Sequence, residues 1–253
     1  MAKKKSVIIK DARKQYVDDF KSLCSSRSPW QVWSDLIVAY SCSIANTAGP
    51  NAPHFQDREE EYEKCIDRLG GVEVPARIFA NMVMSLEEKQ EQDFLGDLFM
   101  NLDLGSHWKG QFFTPYNLCE LMSKMSIEGA QEEIENKGWC SINDPACGAG
   151  ATLIAAANEM RSKGINYQNH CLFVGQDIDR VVGLMCYIQM SLLGMPGYVV
   201  IGDTLINPTT GRSVLFPNEK DGQEIWETPM FHSDVWEMRR RCNIMDMFLS
   251  GAC

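Results

Sequence analysis

The residues of this 253-residue chain best suited to chemistry are the turn Asp144-Pro145-Ala146-Cys147-Gly148-Ala149-Gly150, Asp177 and Asp203. Glycines in such a turn let the backbone approach a ligand closely, and a helix that starts just after it offers free N–H groups to a charged cofactor end. Asp177 follows the apolar run His170 to Gly175, where a carboxylate can accept hydrogen bonds from both hydroxyls of a ribose. Asp179 competes with it for that role. Asp203 follows Tyr198 to Ile201 and could accept from an adenine amino group. Taken separately, an aspartate in such a place is more often a turn or helix-cap residue. Three polar strand ends in series beside one switch point indicate a common adenosyl ligand.

The elements needed to position these residues are readable in the pattern. From about Trp139, short apolar runs alternate with helices, the signature of a parallel sheet with crossover helices. Trp139 to Asn143, His170 to Gly175 and Tyr198 to Ile201 read as strands, and Ala151 to Arg161 and Arg180 to Leu193 as the helices between them. The expected fold is therefore α/β, with a Rossmann-like half-sheet. A Pro/Gly-rich stretch follows, and then one helix around Ser233 to Phe248. The first hundred residues read as helices. Ser28-Pro29 starts one of them, Asp57 is expected to cap another that ends at Gly70-Gly71, and two more run about 75 to 88 and 91 to 103. The expected division is a helical region 1–108 and an α/β domain 109–253.

Composition narrows the function. With 45% hydrophobic residues the chain can bury a substantial core. No run approaches the roughly 20 apolar residues that span a bilayer, and the start lacks a secretory segment, so no membrane partner and a cytoplasmic location are expected. The 10 cysteines are scattered, with no zinc-ligand spacing, and are expected to be reduced and mostly buried; no metal is expected. A net charge of -10 argues against a uniformly basic surface that coats nucleic acid. The Lys3 to Lys14 run and Arg239-Arg240-Arg241 are the two local candidates for holding DNA, and both are equally explained as a solvated tail or helix face.

The segment Gly110-Gln111-Phe112-Phe113-Thr114-Pro115, the Asp144 to Gly150 turn, Gly175-Gln176-Asp177-Ile178-Asp179 and Gly202-Asp203-Thr204-Leu205 occur in that order. Together they resemble the modification subunits of type I restriction systems and related DNA adenine-N6 methyltransferases. The resemblance covers roughly Phe94 to Leu205. It implies a SAM-dependent methyltransferase core that binds S-adenosylmethionine (SAM) and acts on DNA, with a second subunit supplying target recognition or catalytic groups. By that resemblance Phe113, Thr114 and Pro115 would contact the methionine part and flank the adenosine. Asp144 and Gly148 would lie beside the amino-acid end, and Ala146 is counted in the same cofactor-binding turn. Asp177 would hold the ribose, and Asp203 would meet the adenine amine. The family often carries glutamate where Asp177 stands.

One family motif is missing. Adenine N6 is a poor nucleophile, and these enzymes hold the extruded base with an Asn-Pro-Pro-aromatic segment. This chain has 10 prolines, none adjacent, and its only Asn-Pro is Asn207-Pro208, followed by Thr209-Thr210, which reads as an ordinary turn. The sheet is also expected to be truncated, since few residues follow Asp203. Ile225-Trp226-Glu227-Thr228-Pro229, with Trp236 and the arginines after it, resembles the ends of short methylase-like proteins of phages and mobile elements. Two functions are therefore expected: a DNA adenine-N6 methyltransferase whose amine-holding groups come from elsewhere, or a catalytically silent SAM-binding subunit or regulator.

Overall fold

The computed structural model describes residues 2–102, 104, 113–209 and 214–249, with side chains from residue 12 to 245 of these. The chain forms two compact units, Met1–Phe113 and Thr114–Cys253.

The first unit is helical: α1 (Ala2–Leu23), α2 (Pro29–Ala45), α3 (Phe55–Leu69), α4 (Glu73–Glu88) and α5 (Phe94–Asn101). Pro29 occupies the first turn of α2, where its missing N–H costs nothing. α3 begins two residues before Asp57, with His54 at the cap position in a left-handed conformation (φ 59°). Asp57 is therefore a first-turn acid rather than the cap; its charge still favours the helix amino terminus. The core is aromatic: Trp33 is fully buried and meets Phe20 and Phe99 edge-on, while Tyr16 meets Phe94 at 5.6 Å between ring centres. Two nearly buried carboxylates fix helix against helix, Asp19 accepting from Arg77 at 2.8 Å and Asp35 from Arg68 at 2.6 Å.

In the second unit, α6 (Tyr116–Lys137) leads to β1 (Cys140–Asp144), α7 (Ala151–Ser162), the short α8 (Tyr167–His170) and β2 (Cys171–Asp177). Then come α9 (Arg180–Leu192), β3 (Gly197–Ile201), β4 (Glu224–Glu227) and α10 (Asp234–Leu249). The sheet order is β1-β2-β3-β4; β1, β2 and β3 are parallel, and β4 is antiparallel to β3. Alternation assigns the two faces. Val199 and Ile201 approach Gly183 of α9, whose missing side chain allows that helix to lie close. Leu172, Val174, Tyr198 and Val200 point the other way, into a cluster with Leu215, Phe231 and Trp236. Complete burial of large apolar side chains such as these stabilises by about 1.5–3 kcal/mol each.

This is the expected Rossmann-like half, with one correction. Ile225-Trp226-Glu227, in the segment expected to be irregular, forms the antiparallel strand β4, with Trp226 3% exposed and its ring near Tyr187.

Candidate functional site

The carboxyl ends of β1, β2 and β3 are tied to one another by hydrogen bonds. Asp144 closes β1; its Oδ1 accepts from the Ala146 N–H at 3.0 Å and its Oδ2 from the Thr152 hydroxyl. One carboxylate thereby shapes the turn and holds the first turn of α7. The Cys147 N–H donates to the Gln176 carbonyl at 3.0 Å, which fastens the turn to β2. Gly148 and Gly150 have φ of 55° and 98°, backbone that side chains rarely adopt, and a Cβ on Gly150 would lie 2.9 Å from Cys186 Sγ. The unpaired N–H groups of the first turn of α7 follow directly.

Asp177 ends β2. Its Oδ2 accepts from the Gly148 N–H at 2.9 Å and its Oδ1 from the Asp179 N–H at 2.9 Å. Burial is the main cause that pushes its carboxyl above the ordinary aspartate value. The two backbone hydrogen bonds pull the other way, and the charges of Asp179 and Asp144 push it further up. Asp179 is the amino-terminal cap of α9, accepting from the Val182 N–H at 3.0 Å. Of the two rivals for contact with a ligand, Asp179 is therefore committed to its helix.

Asp203 follows β3. Its Oδ1 accepts from the N–H groups of Leu205 (2.8 Å) and Ile206 (3.2 Å). The Thr204 hydroxyl donates to the Pro145 carbonyl at 2.6 Å and the Gly202 N–H to the Asp177 carbonyl at 2.9 Å, so the third strand end is bonded to the other two. Ile178, Leu205 and Ile206 stand 69%, 93% and 74% exposed beside these acids.

The structure thus gathers Asp144, Ala146, Gly148, Asp177 and Asp203. Thr114 and Pro115 open the second unit at the start of α6, which packs on α7 through Cys119, Ala151, Ala155 and Tyr116. Phe113 ends the first unit, its ring tilted against that of Phe99 with 5.2 Å between ring centres. Gly110, Gln111 and Phe112 lie outside the described residues.

Sequence reasoning gave no role to Gln176, which is 1% exposed on β2. Its Nε2 donates to the carbonyls of Asn207 (2.9 Å) and Gly202 (3.3 Å), and its Oε1 accepts from the Thr209 N–H (2.9 Å) and hydroxyl (2.5 Å). A second amide, Gln223, donates to the Asn207 carbonyl at 2.8 Å, and Lys220 donates to the Pro208 carbonyl at 2.9 Å. Both carbonyls of the only Asn-Pro are therefore engaged inside the fold. Asn207-Pro208 therefore serves the fold as a braced turn. A polar residue inside the apolar run of β2 was the available signal for Gln176.

The arginine run is also structural. Arg239 donates to the carbonyls of Gly138 (3.0 Å) and Asn169 (2.8 Å) and lies over Trp236. Arg240 bonds the Phe231 carbonyl at 3.0 Å and covers its ring, and Arg241 pairs with Glu237. Of the other cationic run, the side chains of Lys3, Lys4, Lys5 and Lys10 lie outside the described ones. Among the described residues no disulfide and no group of metal-ligating side chains occurs, and no helix is long and apolar enough to cross a membrane.

The family model described as N-6 DNA Methylase matches residues 92–247, more than half of the chain and all of the strand ends above. The chain belongs to the N-6 DNA methylase family. Among solved structures this family member is similar to the methyltransferase subunit of the type I restriction-modification system from Streptococcus thermophilus. That likeness has 14% identity and a TM-score of 0.43, and covers 79% of this chain and 59% of that one. The methylase-family chain therefore spans less than two thirds of that subunit's length. No curated protein matches it.

Proposed function

We propose that this chain is the SAM-binding part of a DNA adenine-N6 methyltransferase. The observation that carries the reading is the hydrogen-bonded convergence of three acidic strand ends on one glycine turn, in a chain of the N-6 DNA methylase family. The residues suit the cofactor. Each oxygen of the Asp177 carboxylate accepts one N–H and retains capacity for a ribose hydroxyl. Asp203 has an oxygen without a hydrogen bond among the described residues, suited to an adenine amine. The start of α7 suits a carboxylate, and Ile178, Leu205 and Ile206 offer apolar surface for a purine. Ala146, Gly148, Thr114 and Pro115 would line the methionine end.

When bound, the cofactor supplies an electrophilic methyl group. The chain's own residues bind and orient it: Asp177 fixes the ribose and Asp203 the base, and the Asp144–Thr152 bond keeps the glycine turn in shape. Asn207-Pro208 is braced as a turn: Gln176 and Gln223 donate to the Asn207 carbonyl and Lys220 to the Pro208 carbonyl. In this reading the amine-holding groups come from another subunit, and that subunit also brings target recognition. The same braced turn favours a second reading, a catalytically silent SAM-binding subunit of a methylase or restriction system.

The test is twofold. Saturating SAM should raise the melting temperature of the full chain, since a ligand that binds only the folded state stabilises it. An unchanged melting temperature rejects both readings. Transfer of labelled methyl to duplex DNA in the presence of a partner subunit selects the first reading over the second.

A further inference from the structure

Among the described residues the sheet has two open edges, β1 and β4, and they differ in chemistry. Two of the four residues of β4 are glutamates, with Glu224 paired to Arg180 at 2.9 Å and Glu227 to His232 at 3.0 Å. Charges along an edge discourage further strands. β1, Cys-Ser-Ile-Asn-Asp, has no lysine or proline, and its one charge is Asp144 at its end. The layer that buries Leu172 and Val174 leaves their neighbours Ser141 and Asn143 exposed.

Position gives this edge its meaning. In open α/β sheets the ligand crevice lies where the strand order reverses, between the first strand and one from the other half of the sheet. Among the described residues β1 has a neighbouring strand on one side only, so no strand walls the crevice past Asp144 on the other. Beside the residue that precedes β1 lies a groove of about 640 Å³ lined by Lys137, Trp139, Leu215, Met238, Arg239 and others. On α10, Val235, Met238, Cys242 and Met245 form one exposed stripe at helical spacing.

Charge indicates what covers this surface. Residues 114–253 carry 10 Lys and Arg against 17 Asp and Glu, a formal net charge of −7. Glu128, Glu132 and Glu135 are exposed on α6, which packs against β1. Arg239 and Arg240 of α10 are bonded to backbone carbonyls, and Arg241 pairs with Glu237 on the surface. A DNA-modifying assembly needs cations for phosphates, and a basic partner would add them to this acidic unit.

We propose that the open edge of β1, with the groove and the α10 stripe beside it, docks a separate basic polypeptide that adds a β-strand along β1 and completes the crevice at Asp144. Strand addition satisfies the edge's backbone groups and fixes the register of what it brings. The inference rests on the cofactor-binding reading of the strand ends.

The test places a photo-crosslinking amino acid at Ser141 or Asn143 of the full chain in its source cells, with Lys163 as the control position. The expected result is an adduct at 141 and 143, absent at 163, with one basic polypeptide. The complex co-expressed with that polypeptide should methylate duplex DNA, and Ser141→Lys should lower that rate at least 10-fold. In the same Ser141→Lys chain the SAM dissociation constant and melting temperature should stay within 2-fold and about 2 °C of the parent. The proposal is overturned by adducts only with a second copy of this chain, by an acidic partner, by no excess over the control, or by full methylation from the chain alone. Loss of SAM binding in the parent chain would instead remove the cofactor reading, and that measurement is independent of the adducts.

Discussion

The loops after β1 and β2 and the segment 207–209 are all held firmly, but with opposite polarity. In the first two, backbone N–H groups are aimed at the carboxylates of Asp144 and Asp177, and acceptor capacity remains on those side chains. In 207–209, backbone carbonyls are aimed at side-chain donors: the Asn207 carbonyl accepts from Gln176 and Gln223, and the Pro208 carbonyl from Lys220. In the proposed function the first region receives donors such as ribose hydroxyls and the second braces the fold, so that the cofactor side of a methylase lies in this chain and a partner brings the groups that hold the acceptor.

The contrast can be broken most sharply at Asp177. Hydrogen bonds to a charged group contribute about 1.5–3 kcal/mol each, so Asp177→Ala should weaken SAM binding by roughly 100-fold or more in titration calorimetry. A change below 3-fold would erase the difference between the regions. Gly150→Ala forces φ of 98° on a side chain and sets it against Cys186, and should cost about 2 kcal/mol or more in denaturant unfolding. Asp203→Ala, which removes one amine contact, should weaken SAM by about 10-fold, with adenosine weakened equally and methionine inhibition unchanged. Asn207→Ala should change SAM affinity less than 2-fold, since the backbone carbonyl makes the contacts of that residue.

A pH titration sharpens the same comparison. Burial raises the carboxyl of Asp177 above its unfolded value, so its contribution to the stability of the ligand-free chain is present below the unfolded pKa and lost as pH rises through the folded one. Binding to ribose hydroxyls has the opposite sign, because the ionised form accepts them. SAM affinity should therefore fall as pH drops through the raised value. The slope should vanish in Asp177→Asn, as followed by calorimetry across acid pH.

Much of this was legible in the sequence because local rules and tertiary demands agree there. The apolar run of β2 is buried through its length, and the Asp144 to Gly150 turn requires the left-handed glycines that its composition announces. α6 had no such agreement: Leu118, Leu121, Met122 and Met125 lie on its exposed face, so burial does not follow its apolar pattern. β4 was hidden by its four-residue length and two glutamates, which suit an edge and mimic a loop. The Asp177/Asp179 choice was open because both spacings serve; only the α9 cap separates them. Gln176 was missed because its partners come from a segment about 30 residues away, a distance that no local pattern spans.

The most direct test of the account is a crystal structure of the full chain with SAM. It should show the ribose hydroxyls bonded to the Asp177 carboxylate and the adenine amine facing Asp203, beside Gly148. SAM bound away from these strand ends, or absent from crystals grown at saturating concentration, would contradict it.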